Sequence, residues 1–173
     1  MLKPDEFKPS LFVKKQGELA LSGKALNEFL RAVLDKGVPF RFKAKGFSMS
    51  PFIKDNDVIT VSPLADHSLS TGKVVAFIHP QTGKVHVHRV LKKEGGFFLI
   101  KGDNSPGADG FIPKKNIMGF VTRAERKGKK IFLGLGPERF LIAFISSNGL
   151  FFSFLKPIRK IFSIIRKKGP QHG

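Results

Sequence analysis

A helical pattern of apolar residues lies near the start of the chain. Between a possible N-cap at Ser22 and a stop at Gly37, apolar residues are spaced three and four apart. This spacing predicts an amphipathic helix over about residues 24–36. We interpret residues 1–21, which mix prolines, a glycine and charges, as an extension. The apolar positions of the predicted helix are Leu26, Phe29, Leu30, Val33 and Leu34.

From about residue 39 to residue 133 the pattern changes to short apolar runs separated by turn residues. Six runs have the length and the β-branched or aromatic content of strands. No helical pattern separates them, which favours an antiparallel, mainly β domain. The predicted strands are 58–61, 74–78, 85–91, 97–100, 117–121 and 130–133.

Residues 157–168 combine helical apolar spacing with positive charge. The segment 156–168 holds six basic residues and no acidic one, and Pro157 suits the first turn of a helix. An apolar stripe backed by cations is typical of a helix on an anionic membrane surface, and it also occurs in helices packed on their own domain. We predict the first, a C-terminal amphipathic helix at the membrane surface. Its apolar residues are Ile158, Ile161, Phe162 and Ile165.

The sequence predicts no membrane-spanning segment. The longest uncharged stretch, 140–155, has 16 residues and a polar centre, whereas a bilayer span needs about 20 apolar residues. The first seven residues contain no apolar run, so we expect no cleavable signal peptide and a cytoplasmic or peripherally membrane-associated protein. The chain divides into an N-terminal extension and helix (1–37), a β core (38–134) and an apolar, basic C-terminal segment (135–173).

The composition excludes several kinds of site. The 173 residues include no cysteine, which rules out thiol nucleophiles, disulfide frameworks, zinc fingers and iron–sulfur clusters. Lys and Arg number 31 and Asp and Glu 13, so the formal net charge is +18 and an anionic partner has to be considered.

A serine between a glycine and a proline is the first candidate for chemistry. Gly46 permits close approach of the backbone to a ligand, and Pro51 fixes the chain direction after Ser48. Such a turn can aim a hydroxyl and a backbone N–H at a peptide carbonyl. The alternative is an ordinary turn, since most Gly-x-Ser sequences have no catalytic role.

Two histidines follow on one predicted strand. Alternation places His86 and His88 on one face and Arg89 on the other. A neutral imidazole can accept a serine proton near neutral pH. Two other interpretations are a metal-binding pair, for which the sequence shows no third ligand, and a solvated strand face.

Two aspartates lie in the glycine-rich loop 102–110 that follows the next strand. Asp103 and Asp109 stand six positions apart. One carboxylate could orient an imidazole and stabilise its cation. Alternatively, both bind backbone groups of the loop in Asx turns, a role that we assign to Asp103.

Taken in order, five short sequences resemble the type I signal peptidase and LexA-type serine peptidase superfamily. Histidine before Arg89 is similar to the Ser-His branch of signal peptidases. The resemblance implies Ser48 as nucleophile, His88 as general base and Asp109 as the residue that orients the imidazole. It also implies a coiled antiparallel β core. The matching sequences are Ser-Met-Ser-Pro (48–51), His-Arg (88–89), Lys-Gly-Asp-Asn (101–104), Asp109 and Ile-Met-Gly-Phe-Val (117–121).

The resemblance further implies how a substrate is bound. Gly46 stands where many signal peptidases have a serine that binds the oxyanion, which leaves this role to backbone N–H groups such as that of Ser48. The implied substrate is an extended peptide or preprotein with small side chains before the cleaved bond, and no metal ion or organic cofactor is implied. The residues expected around the oxyanion and substrate are Gly46, Phe47, Met49 and Pro51.

The sequence departs from the family pattern after the serine turn. A Gly-Asp pair typical of the family is Asn56-Asp57 here. Asparagine tolerates the left-handed backbone that glycine adopts, so we expect the turn to keep its conformation. A second Gly-Asp pair becomes Gly72-Lys73, which we interpret as structural.

Two alternatives to an active peptidase use the same features. One is a peptidase-fold module without activity, and the other is a LexA-like, DNA-associated regulator that uses the positive charge. LexA-type relatives carry a helix-turn-helix before the peptidase domain, whereas only one helix is predicted here before residue 38. The concentration of basic residues beside apolar ones in 156–168 suits a membrane surface better than nucleic acid. We therefore favour a serine endopeptidase resembling type I signal peptidase.

Overall fold

The computed structural model describes residues 23–64 and 69–147. The N-terminal extension and the predicted helix within 157–168 lie outside the described residues. In chain order, the elements are α1 (Gly23–Asp35), β1 (Phe40–Lys43), β2 (Val58–Pro63), β3 (Val74–Ile78), β4 (Val85–Glu94), β5 (Phe97–Lys101), β6 (Gly110–Pro113), a 3₁₀ turn (Lys114–Asn116), β7 (Ile117–Arg126), β8 (Lys129–Ile131) and α2 (Arg139–Ser147).

The eight strands form one antiparallel sheet in the order β1-β2-β7-β3-β4-β5-β6, with β8 beside β7. This architecture confirms the prediction of a mainly β, antiparallel fold, and all six predicted strands are present. β1 and β6, each of only four residues, were not predicted from the sequence. β1 reads Phe-Arg-Phe-Lys and β6 ends at Pro113, so neither shows a run of β-branched residues.

Three shifts of strand register bend the sheet. They lie at Thr60/Val61 in β2, Ala76/Phe77 in β3 and Val90/Lys92 in β4. An extra residue on one strand increases local twist and bends that strand. The curved sheet has apolar clusters on both sides of β3, so Val74 and Ala76 pack in one core while Val75 and Phe77 pack in the other. Burial on both faces explains why β3 is continuously apolar.

Each helix covers the sheet with one apolar side. Leu30 and Leu34 of α1 are buried in the first core, as the helical spacing predicts. α2 packs against β4 and was not predicted from the sequence. Lys101 in β5 donates a hydrogen bond from Nζ to the Ser146 carbonyl of α2 over 2.9 Å, which ties the helix to the sheet. Among the described helices, none is long and apolar enough to cross a bilayer.

Candidate active site

Ser48 lies in a tight turn that follows β1. Gly46 adopts a left-handed conformation with φ 90°, and its N–H donates to Asp55 Oδ1 over 2.9 Å. Further along, the Ser50 N–H donates to the Phe47 carbonyl over 3.1 Å. Glycine takes this backbone geometry without steric cost, and the hydrogen bonds on both sides of Ser48 fix where its hydroxyl points.

His88 of β4 meets the hydroxyl of Ser48. The register places His88 opposite Val75 of β3, and its Nε2 lies 2.8 Å from Ser48 Oγ. The His88 ring is buried and lies 6.1 Å from the ring of Phe77, measured between centroids. Burial against an aromatic ring restricts the imidazole to few orientations. The base is therefore held beside the hydroxyl.

Asp109 completes a hydrogen-bonded series. Its Oδ2 lies 2.7 Å from His88 Nδ1, and its backbone N–H donates to the Ile100 carbonyl over 2.9 Å. An ionised carboxylate accepts hydrogen bonds only, so Nδ1 carries the proton and Nε2 is free to accept one from Ser48. The structure thus brings together all three residues that the sequence analysis proposed for catalysis.

The loop after β5 closes the site from the other side. The Asn104 N–H donates to the Ser48 carbonyl over 2.6 Å, and Asn104 Nδ2 donates to the Phe47 carbonyl over 3.1 Å. A Cβ at Gly102 would lie 2.8 Å from the Ser48 carbonyl oxygen and 3.1 Å from His88 Nε2. Only glycine fits there. Sequence analysis gave neither residue a role, although both belong to the Lys-Gly-Asp-Asn sequence that carried the resemblance.

The opposite face of β4 carries a buried ion pair. Arg89 donates from Nε and Nη2 to the two oxygens of Asp103 over 2.8 and 2.7 Å, and both side chains are fully buried. Arg89 Nη1 also donates to the Gly72 and Gly134 carbonyls. The Asp103 carboxylate therefore holds the loop through Arg89 and not through the expected Asx turn. A buried guanidinium requires this compensation.

His86 stands beside the Ser48–His88–Asp109 series. Its Nδ1 lies 3.7 Å from Asp109 Oδ1, and its ring lies 5.3 Å from that of His88. Burial lowers the pKa of His86, and the neighbouring His88 charge lowers it further. The sequence showed no third metal ligand beside the two histidines. In the structure Asp109 lies beside them, since candidate ligand atoms of His86, His88 and Asp109 lie within 4.8 Å of one another.

The four residues expected around the substrate occupy different environments. Phe47 is 66% exposed at the turn, and Pro51 is exposed. The Met49 side chain is buried in the first core, so it supports the turn from below and presents no side-chain surface to a peptide. The Gly46 N–H is already bonded to Asp55.

The turn that follows Ser48 is anchored by its own ion pair. Asn56 has φ 64°, which confirms the expected left-handed conformation. Buried Asp57 accepts hydrogen bonds from Arg126 and from the Lys54 N–H. Burial opposes ionisation of Asp57, but these hydrogen bonds outweigh it and lower its pKa. The geometry of the turn is thus stabilised by charge compensation between Asp57 and Arg126.

A cavity of about 330 Å³ lies apart from the serine site, between the start of β3, β7 and α2. It is lined by Lys73 and Arg139 among others, and by none of the three candidate catalytic residues. Burial lowers the pKa of Lys73, and the charge of Arg139 adds to this effect. The cavity is therefore separate from the candidate catalytic residues around Ser48.

Comparison with known proteins agrees with this geometry. A family model described as Peptidase S24-like matches residues 18–122, more than half of the chain. The chain belongs to the Peptidase S24-like family. The match includes Ser48, His88 and Asp109. This family contains serine peptidases and also non-catalytic members. A search of curated proteins found no matching relative.

The two aspartates of this S24-like chain have contacts that predict different effects. Asp109→Asn should lower the rate of peptide cleavage by about 10⁴ with little change in the free energy of unfolding, because it disturbs the imidazole tautomer. Asp103→Ala should lower both the cleavage rate and the free energy of unfolding. The loss of stability should be about 3–5 kcal/mol, because the substitution leaves the Arg89 charge buried and unpaired. Urea unfolding and cleavage rates measured on both variants test this division. A normal rate for Asp109→Asn would leave a Ser-His dyad.

Proposed function

We propose that this chain is an active serine endopeptidase resembling type I signal peptidases. The observation that supports this proposal is the continuous series from Ser48 Oγ through the His88 ring to Asp109, with distances of 2.8 and 2.7 Å. His88 Nε2 takes the hydroxyl proton while Ser48 Oγ attacks the peptide carbonyl. Asp109 stabilises the imidazolium. His88 then returns the proton to the leaving amine, and water releases the acyl group by the same route.

The oxyanion of the tetrahedral intermediate requires donors beside Ser48. Because the Gly46 N–H donates to Asp55, it does not serve as a donor to the oxyanion. We assign this role to the Ser48 N–H, which the turn holds next to its own hydroxyl. The hydrogen bond from the Asn104 N–H to the Ser48 carbonyl over 2.6 Å fixes the peptide plane that follows Ser48.

An extended peptide suits the strand edges beside the serine. Among the described strands, β5 pairs with β4 only from Arg89 onward, so residues 85–88 are paired on the β3 side alone. β1 leads into the serine turn and forms one edge of the sheet. A peptide that adds to such an edge gains main-chain hydrogen bonds. A substrate peptide that pairs with β4 as far as His88 would place its scissile carbonyl close to Ser48.

The direct test is cleavage of a peptide library by the purified chain, with new termini read by mass spectrometry. A fluorophosphonate probe should label Ser48, and a tryptic digest identifies the labelled residue. A non-catalytic family member would give neither cleavage nor labelling. Labelling of a different serine would place the nucleophile elsewhere.

Association with an anionic membrane surface is the second part of the proposal. Leu141 and Phe144 of α2 are 61% and 66% exposed, and α2 leads into the apolar and basic segment 148–173. Exposed apolar groups beside cations favour binding to an anionic interface. Such binding would bring the site to peptide substrates that emerge from a membrane.

Sedimentation with liposomes tests this association. The full chain should pellet with vesicles containing anionic lipid and should be partly released by high salt, because screening weakens the attraction. A chain ending at Gly149 should stay in the supernatant. The idea is contradicted if both forms sediment equally, or if vesicles of neutral lipid bind the full chain as well as anionic ones do.

A further inference from the structure

Three metal-ligating side chains meet on the outer side of the serine site. Nδ1 of His86 lies 3.7 Å from one oxygen of Asp109, and Nδ1 of His88 lies 2.7 Å from the other. All three candidate ligand atoms lie within 4.8 Å of one another. The proposed mechanism of peptide hydrolysis uses His88 and Asp109 but does not use His86.

This donor set suits one class of cation. Two imidazoles and a carboxylate are ligands typical of Zn²⁺, whereas Ca²⁺ and Mg²⁺ prefer oxygen donors. Zinc–ligand bonds of about 2.0–2.2 Å in a tetrahedron separate the ligand atoms by about 3.3 Å. The nitrogen–oxygen distances of 3.7 Å for His86 and 2.7 Å for His88, each to a different oxygen of Asp109, lie on either side of that value. A zinc ion bound here would have three protein ligands and a fourth position for water.

We propose that His86, His88 and Asp109 bind Zn²⁺ and that this ion switches the peptidase off. The switch, though not the binding, rests on the proposed function. Zinc takes the lone pair of His88 at Nδ1, so the single proton of the neutral imidazole moves to Nε2. An Nε2–H group faces Ser48 Oγ over 2.8 Å and has no lone pair left to accept its proton.

Because of the position of His86, a substitution can remove the proposed zinc site without changing the candidate catalytic residues. His86 approaches Asp109 on the oxygen that His88 does not use, and it has no described contact with Ser48. His86→Gln removes an imidazole ligand but leaves the Ser48–His88–Asp109 series unchanged. His79→Gln is the matched control, because its ring lies 5.2 Å from that of His86 while its Nδ1 accepts from the Gln81 N–H.

Calorimetric titration of the full chain with ZnCl₂ tests the binding. The wild-type chain and His79→Gln should bind one zinc ion, with little heat from MgCl₂. His86→Gln should bind more weakly by more than the roughly 10- to 100-fold that outer-shell partners contribute. Co²⁺ should show the visible bands of a tetrahedral site only when His86 is present. Equal zinc affinity in wild type and His86→Gln would overturn the site, since it would place the ion elsewhere, for example at His67 or His172.

Cleavage rates test the switch. Zinc should inhibit the wild-type chain reversibly, with recovery on adding EDTA, and should leave the rate of His86→Gln unchanged. If the chain cleaves peptide at the same rate without metal and in saturating zinc, the switch is overturned. If zinc binds in a His86-dependent way and the metal-free chain cleaves no peptide, the site stands and the peptidase proposal fails.

Discussion

Replacing Ser48 by alanine is expected to abolish peptide cleavage, lowering the turnover rate on the order of 10⁶-fold. The substitution removes Ser48 Oγ, which lies 2.8 Å from His88 Nε2 and is the only hydrogen-bond partner described for that nitrogen. The other hydroxyl of the turn, that of Ser50, has no described contact with His88 and is not expected to replace it as nucleophile. Cleavage of the best library peptide, followed by chromatography, measures the loss.

Ser50→Ala is the matched control for this substitution. Ser50 lies in the same turn, two residues further along, and has the same hydroxyl side chain. It should retain cleavage near the wild-type rate. Both variants should unfold at the wild-type urea concentration, since each removes one oxygen from a loop. Activity in Ser48→Ala equal to wild type would exclude Ser48 as the nucleophile.

The fold was predictable where burial is periodic. α1 shows its buried side at helical spacing, and β3 is apolar because a core lies on each face. The short edges were not predictable. β1 and β6 have four residues each, and each pairs with a single strand at one end of the sheet. α2 was missed because its exposed side is apolar, so residues 139–147 show little contrast between a buried and a solvent side.

The candidate site was predictable in its residues but not in its supports. Ser48, His88 and Asp109 followed from short sequences that resemble a known family. The pairing of Arg89 with Asp103 could not be read from spacing, because 14 residues and a strand turn separate them. Their contact depends on β4 and β5 being neighbours. The proximity of Asp109 to His86 was hidden for the same reason, since Asp109 reaches it only through the folded loop.

β4 connects the chemistry to the stability of the core. His88 faces Ser48 on one side of the strand, while the next residue, Arg89, is buried on the other and binds Asp103 and two carbonyls. Asp103 lies in the loop that also carries Gly102 and Asn104 against the serine turn. The ion pair therefore links the strand that carries His88 to the loop that contacts the Ser48 turn.

His88→Ala is expected to lower turnover about as much as loss of the nucleophile, on the order of 10⁶-fold, whereas His86→Gln should keep a rate close to wild type. His88 Nε2 contacts Ser48 Oγ, while His86 lies near the far oxygen of Asp109 and has no described contact with Ser48. Turnover of one peptide, measured for both variants in EDTA, tests the assignment. An inactive His86→Gln beside an active His88→Ala would reverse the roles of the two histidines.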